Sequence, residues 1–255
     1  LFVDEVIPFI EANRDKPFYV NLWTLVPHAT LHPTEEQMKP YGRFAPGRNL
    51  PYKGATQIYY ASVGDLDKQI GRLLDKLQEM RLADKTVVLF SSDNGPEDIQ
   101  IRNASHSGVG SPGPLRGRKR SLYVGGVRMP FIVRWPKTVP AGRVDARSVL
   151  TGVDFLPTVC KLAGVKLPDG FNLDGEDLSD VLSGHSRARV KPIMWEWRFP
   201  IVGHVLNRSP MLAIRDGDWK LLINPDGSRV ELYKIPSDAS ELNNLAGRYP
   251  QVVER

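Results

Sequence analysis

The sequence predicts an α/β fold in two parts. Residues 1–185 read as helices flanking a mixed sheet, and residues 186–255 as a smaller α+β unit built on an antiparallel sheet. Three observations carry this reading. First, Thr86-Val-Val-Leu-Phe90 is a short apolar, β-branched run closed by the polar Ser91 and Ser92, the pattern of a strand buried on both faces of a parallel sheet. Second, Val63, Leu66, Ile70, Leu73, Leu74 and Leu77 keep helical spacing through 57–80, a long amphipathic helix that would lie on that sheet. Third, beyond Gly184-His185-Ser186 short strands recur at 193–197, 211–215, 219–223 and 230–233. They are separated by turn signals such as Asp216-Gly217-Asp218 and Asn224-Pro225-Asp226-Gly227.

The remaining elements follow in order. Val3, Ile7 and Ile10 mark a first helix that Asn13-Arg14-Asp15 interrupts. Residues 18–24, dominated by β-formers, read as a strand ending in Val26-Pro27-His28. The polar stretch 34–49, with Pro40, Pro46 and Gly47, reads as an excursion over the surface. Residues 96–114 form a long loop rich in Ser, Gly, Pro and Asn, of the kind that is functional or disordered. A second apolar strand at 131–135 is closed by Pro136. The helix at 154–164 is stopped by Gly164, with Cys160 amid apolar residues as a buried structural thiol. Further helices are predicted at 177–182, at 240–245 and from Pro250 onward.

Composition narrows the function classes. Lys and Arg outnumber Asp and Glu, 34 to 29, but only Arg116-Gly117-Arg118-Lys119-Arg120 concentrates the excess. A nucleic-acid binder would usually gather it on one face, and a mild positive balance fits an anionic substrate as well as a polyanion. No apolar run is long enough to cross a bilayer. Cys160 is the only cysteine and excludes a disulfide within this segment. The chain opens at Leu1 without an initiator Met and reads as a fragment.

The candidate chemistry clusters beyond strand ends, where ligands gather in open α/β sheets. Asp93 and Asn94 offer two hard oxygen donors, suited to Ca²⁺ or Mg²⁺, although Asp-Asn-Gly is also a common turn. Pro27 would pre-aim His28, which as a lone loop histidine can equally be solvated. His32 has less in its favour. His106 sits in the long loop with nothing in the sequence to place it. The basic cluster can bind an oxyanion, the alternative being a solvated charge run. Trp195-Glu196-Trp197-Arg198 and His204 lie where the small unit would meet the pocket, and the aromatic faces suit sugar rings if they do not serve only packing. Asp65 and Asp67 read as solvated helix face. Asn103-Ala104-Ser105 and Asn207-Arg208-Ser209 fit the glycosylation sequon.

Taken together, these stretches resemble the sulfatase family of the alkaline-phosphatase-like superfamily. The matching pieces, in family order, are Pro27-His28, Ser92-Asp93-Asn94-Gly95, Arg116-Gly117-x-Lys119, Gly125-Gly126-Val127-Arg128-x-Pro130 and Asp154-x-x-Pro157-Thr158. Ile214-Arg215-x-Gly217-x-Trp219-Lys220-Leu221, Glu231-Leu232-Tyr233 and Glu241-x-x-Asn244-Leu245 complete them. The likeness is to formylglycine-dependent enzymes of the arylsulfatase and N-acetylgalactosamine-6-sulfatase kind. It implies the later part of an alkaline-phosphatase-like mixed sheet, followed by the small C-terminal unit.

By position, the resemblance implies Asp93 and Asn94 as ligands of Ca²⁺, with Mg²⁺ the poorer fit. It implies Lys119 on a sulfate oxygen, His28 facing the leaving-group oxygen, Arg116 supporting the loop, and Arg118 near substrate or in solvent. His106 and His204 are further substrate-binding candidates. The implied partners are a sulfated carbohydrate or aryl sulfate and a formylglycine-generating enzyme, with no nucleic acid and no membrane span; the implied location is periplasmic, secreted or lysosomal. Two departures stand out. Val124 occupies the position of the family's glutamate before Gly125-Gly126. Cys-x-Pro-x-Arg and the earlier paired Asp ligands are absent, so the expectation is a sulfatase parent and an inactive segment. The alternatives are a two-zinc phosphodiesterase or phosphatase, for which Asn94 is a poor ligand, and a binding module for sulfated glycans.

Overall fold

The computed structural model describes residues 2–46, 54–98 and 105–255. The first helix, α1 (Phe2–Ala12), buries Val3, Ile7 and Ile10, which share one face at intervals of three and four residues. Asn13 ends it by donating from its amide to Phe9 O at 2.8 Å. The stretch expected to wander over the surface contains a short helix, α2 (Glu35–Met38), opened by a Thr34–Gln37 capping box and continued by a 3-10 turn at Lys39–Phe44. Residues 47–49 of that stretch lie outside the described residues.

The long helix is α3 (Ala55–Glu79). It packs against α1, α2 and the 3-10 turns at Lys39–Phe44 and Ser105–Val109. Ala61 and Ser62 are buried in its first half and Leu77 near its end.

The strand expectations for the first part need correction. Strand β1 (Val88–Phe90) pairs antiparallel with β2 (Ile132–Arg134), in the register Val88 with Arg134 and Phe90 with Ile132. The two-sided burial of a parallel strand is not reached, since Phe90 and Ile132 remain 38% and 58% exposed. Residues 18–24 alternate between half-buried and exposed side chains but join no ladder among the described residues. A β-rich pattern reports extended backbone with two distinct faces; it does not supply the neighbouring strand. Between β1 and β2, α4 (Val124–Val127) is a single turn; after β2, α5 (Phe155–Leu162) ends at Gly164 with φ +67°. Cys160 is half-buried in α5, against the expectation of full burial. Helix α6 (Ser179–Leu182) follows. Arg189, bonded to Asp154 at 2.5 Å, draws the next stretch of chain back onto the start of α5.

The C-terminal part forms one antiparallel sheet of β3 (Ile193–Glu196), β4 (Leu212–Asp216), β5 (Trp219–Ile223) and β6 (Glu231–Lys234), in sequential order. One face, including Ala213, Leu222 and Tyr233, packs on Leu122, Tyr123 and Val124 to make the principal core. Trp195 and Trp197, both half-buried, pack against this core. Beyond β6 the predicted helix at 240–245 does not form. Glu241 takes φ +53°, the Asp238 carboxylate caps Leu242 N and Asn243 N, and Leu245 N donates to Leu232 O at 2.8 Å. This strap runs beside β6 before α7 (Pro250–Glu254). Because Leu222 is fully buried at the centre of the core, Leu222→Ala is expected to lower unfolding free energy by about 2–5 kcal/mol in chemical denaturation. An unchanged midpoint would place the core elsewhere.

Candidate functional site

Asp93 and Asn94 follow β1 after Ser91 and Ser92. Ser91 Oγ donates to Pro130 O at 3.0 Å, anchoring the strand end to the segment that precedes β2. Asp93 is exposed and accepts Asn94 N on Oδ1 at 2.9 Å. Asn94 donates Nδ2 to Gly95 O at 2.9 Å. A carbonyl can only accept, so this bond fixes the amide and leaves its Oδ1 as the outward donor atom. Gly95 then closes the turn against the other loop, its N–H donating to Gly126 O at 2.9 Å. A Cβ at position 95 would lie 1.9 Å from Gly125 O, so only glycine permits this approach.

The facing loop carries the basic cluster and is joined to the same turn, Lys119 N donating to Pro96 O at 2.9 Å. The three arginines have structural partners. Arg116 donates Nη1 to Tyr233 OH and to Glu241 O, both at 3.1 Å, and stacks its guanidinium 3.8 Å from the centre of the Tyr123 ring. Arg118 donates Nη1 to the carbonyls of Glu97, Gly108 and Gly110. That inward turn replaces the expected substrate-side or solvent position with a loop-holding one. Arg120 forks onto Glu97 at 2.5 and 2.9 Å. Among the described residues, Lys119 Nζ makes no hydrogen bond and no ion pair, and its charge acts at longer range on the Glu97 carboxylate. Burial raises the Glu97 pKa, but the Arg120 fork and the Asp98 N–H together outweigh it and hold the carboxyl below its ordinary range.

The histidines fall in three places. His28 is exposed just after the cis Val26–Pro27 bond, with N donating to Leu25 O at 2.6 Å and Nδ1 bonded to Ala29 O at 2.7 Å. Because the partner is a carbonyl, Nδ1 carries the proton and Nε2 is the outward nitrogen. Its hydrogen bonds are thus local, and none joins it to the other two loops among the described residues. His106 is half-buried and lines a cleft of about 310 Å³ with Met38, Gln57 and Ile58, beside the start of α3. His204 turns its Nδ1 onto Leu206 N at 3.2 Å. Its backbone N–H reaches Asp98 Oδ2 at 2.8 Å, where Asn207 Nδ2 also binds at 2.7 Å.

Sequence reasoning did not single out Asp98, which is 2% exposed and ties the small unit to the segment after Asn94. Nor did it give a role to Lys220 or Glu241, a fully buried ion pair at 2.8 Å directly behind the Lys119 loop. Their only signal was membership in the family-like C-terminal pieces.

A sequence profile of the sulfatase family matches residues 1–165, and one described as N-sulphoglucosamine sulphohydrolase, C-terminal, matches residues 117–254. The chain belongs to the sulfatase family. It is 38% identical to mouse steryl-sulfatase over 184 residues, 72% of this chain and 27% of that one. It is 28% identical to N-acetylgalactosamine-6-O-sulfatase of Bacteroides thetaiotaomicron over 263 residues, 96% of this chain and 47% of that one. A solved structure described as Ps i-CgsB in complex with k-i-k-neocarrahexaose shares its fold with a TM-score of 0.79 at 26% identity, covering 99% of this chain and 51% of that one. The sulfatase chain described here therefore spans about half or less of these proteins' lengths.

Asp93 Oδ2 and Asn94 Oδ1 are two hard oxygens of the six to eight that Ca²⁺ takes, so the donors fit part of such a site. Among the described residues, no three or more His, Cys, Asp or Glu side chains are grouped to hold a metal by themselves.

The Glu97–Arg120 pair gives a pH test of the loop junction. Its folded pKa lies below the ordinary 4.5, so its stabilisation is present above that value and is lost as pH falls through the lowered one. Glu97→Gln is expected to cost about 1.5–3 kcal/mol at pH 7 and progressively less below pH 4.5. A cost independent of pH in denaturation experiments would contradict this.

Proposed function

We propose that this chain supplies the cation-holding and sulfate-holding loops of a sulfatase, and that the whole protein hydrolyses sulfate esters of sugars. The observation that supports it most is the Lys119 ammonium, which makes no hydrogen bond or ion pair among the described residues and is set in a loop that is hydrogen-bonded to the Asp93–Asn94 turn. The similarity to an N-acetylgalactosamine-6-O-sulfatase runs along 96% of this chain, whereas that to a steryl-sulfatase runs along 72%, which favours a sugar substrate.

The chemistry follows from the residue types. Lys119 would face a non-bridging sulfate oxygen and offset the charge that grows as the sulfuryl group transfers. Asp93 and Asn94 would hold Ca²⁺, which when bound adds positive charge beside the same oxygens. His28, with Nδ1–H fixed on Ala29 O, would present Nε2–H when protonated. It would give that proton to the ester oxygen as the S–O bond breaks, so the sugar leaves as a neutral alcohol. Cys160 lies in α5 and is followed by Lys161-Leu162-Ala163, so this segment offers no family-type nucleophile. The formylglycine nucleophile, its generating enzyme and an exported location belong to the same proposal for the whole protein. No helix among the described residues is long and apolar enough to cross a membrane.

The test is sulfate release by the full-length protein from 6-sulfated N-acetylgalactosamine and from 4-nitrophenyl sulfate. Lys119→Ala is expected to lower kcat/KM by about 10²–10³ on both substrates. His28→Ala is expected to lower it by about 10²–10⁴ on the sugar and much less on the aryl ester, whose phenolate departs without a proton. Full activity in Lys119→Ala, or cleavage of phosphate esters in place of sulfate esters, would overturn the reading.

A further inference from the structure

The loop that carries Lys119 is held from behind by two side chains distant in sequence. Glu241 accepts Val124 N on Oε2 at 2.5 Å and Lys220 Nζ on Oε1 at 2.8 Å. Lys220 Nζ also donates to Leu122 O at 2.6 Å, and the Glu241 backbone carbonyl accepts Arg116 Nη1. The two residues thus grip both limbs of one loop, Arg116 on the way in and Leu122 to Val124 on the way out, with Lys119 between them. The limbs are bonded to each other as well, Gly125 N donating to Arg116 O at 2.6 Å. Both side chains are essentially inaccessible, at 1% and 0% exposure.

We propose that Lys220 and Glu241 are positioning residues for Lys119, so that the C-terminal unit sets the placement of the sulfate-facing ammonium. This rests on the sulfatase reading above. Two physical points support it. A buried ion pair contributes little net stability compared with apolar side chains of similar volume, so the pair is poorly explained as a source of stability alone. Moreover, the backbone groups it satisfies, Val124 N–H and Leu122 C=O, belong to the Lys119 loop and not to β5 or the strap beyond β6 that provide the pair. The Glu241 carboxylate reaches the backbone N–H of Val124 from 117 residues further along the chain.

The experiment compares Lys119→Ala, Glu241→Gln, the apolar double variant Lys220→Met/Glu241→Leu, and Lys119→Ala combined with Glu241→Gln, all in the full-length protein. The readouts are thermal midpoint, kcat and KM for sulfate release, and amide hydrogen exchange. The double variant is expected to fold with a lowered midpoint, because Val124 N–H and Leu122 C=O lose their buried partners, while kcat at a temperature well below that midpoint falls by about 10²-fold, the scale of a 1 Å misplacement, with faster exchange confined to residues 119–126. If Glu241 acts through Lys119, Glu241→Gln lowers kcat in the wild-type background and has no further effect in the Lys119→Ala background. A double variant with wild-type kcat, or additive losses in the combined variant, would overturn the positioning role while leaving the sulfatase reading intact. Retained activity in Lys119→Ala would instead remove the reading beneath it. Failure of both Glu241 variants to fold would also overturn the proposal, since the pair would then serve folding itself.

Discussion

The structure depends on a carboxylate that should not be comfortable where it is. Glu241 sits fully buried in a left-handed backbone conformation between the C-terminal sheet and the loop at 116–126. Burial pushes its carboxyl pKa up and that of Lys220 down, each opposed by the partner's charge and by hydrogen bonds. The pair is satisfied because the loop backbone supplies the remaining donor and acceptor. Removing one partner would leave a buried charge uncompensated, at a cost of about 3–5 kcal/mol. The sheet, the strap beyond β6 and the basic loop are therefore linked through one set of bonds.

A second constraint is steric. The Asp93–Asn94 turn and the Lys119 loop touch backbone to backbone, with no space for a Cβ at Gly95. Two loops that approach this closely move as one body, because a shift in either breaks Gly95 N to Gly126 O and Lys119 N to Pro96 O together. The oxygen donors of one loop and the ammonium of the other are thus placed by the same contacts. The three arginines around Lys119 complete the arrangement by binding carbonyls, a carboxylate and an aromatic face, whereas Lys119 Nζ makes no hydrogen bond or ion pair among the described residues.

What the sequence disclosed follows a physical division. Helical spacing found α1 and α3, and turn chemistry at Asp216-Gly217-Asp218 and Asn224-Pro225-Asp226-Gly227 found the four-stranded sheet, because both signals are local. Pairing is not local. The run ending at Phe90 read as a two-sided parallel strand, yet its partner is antiparallel and 42 residues away in β2, with Phe90 against Ile132. The segment at 240–245 has helix-forming residues, but the buried Glu241 and the Asp238 caps override that propensity. At the site, Asp93, Asn94 and His28 stood out as candidates by residue type beyond expected strand ends, and Lys119 by the basic cluster and the family resemblance. Glu241, Lys220 and Asp98 did not, because a buried charged residue declares its role only through partners about a hundred residues away.

The most direct measurement is Ca²⁺ dependence of sulfate release by the full-length protein after chelation. The account predicts that activity is lost on chelation and returns saturably with added Ca²⁺, and that Asp93→Ala shifts the restoring concentration upward by about tenfold or more, equivalent to about 1.4 kcal/mol of lost binding. Activity that survives chelation and is indifferent to Asp93→Ala would contradict the assignment of the Asp93–Asn94 turn as the cation-holding half of the site.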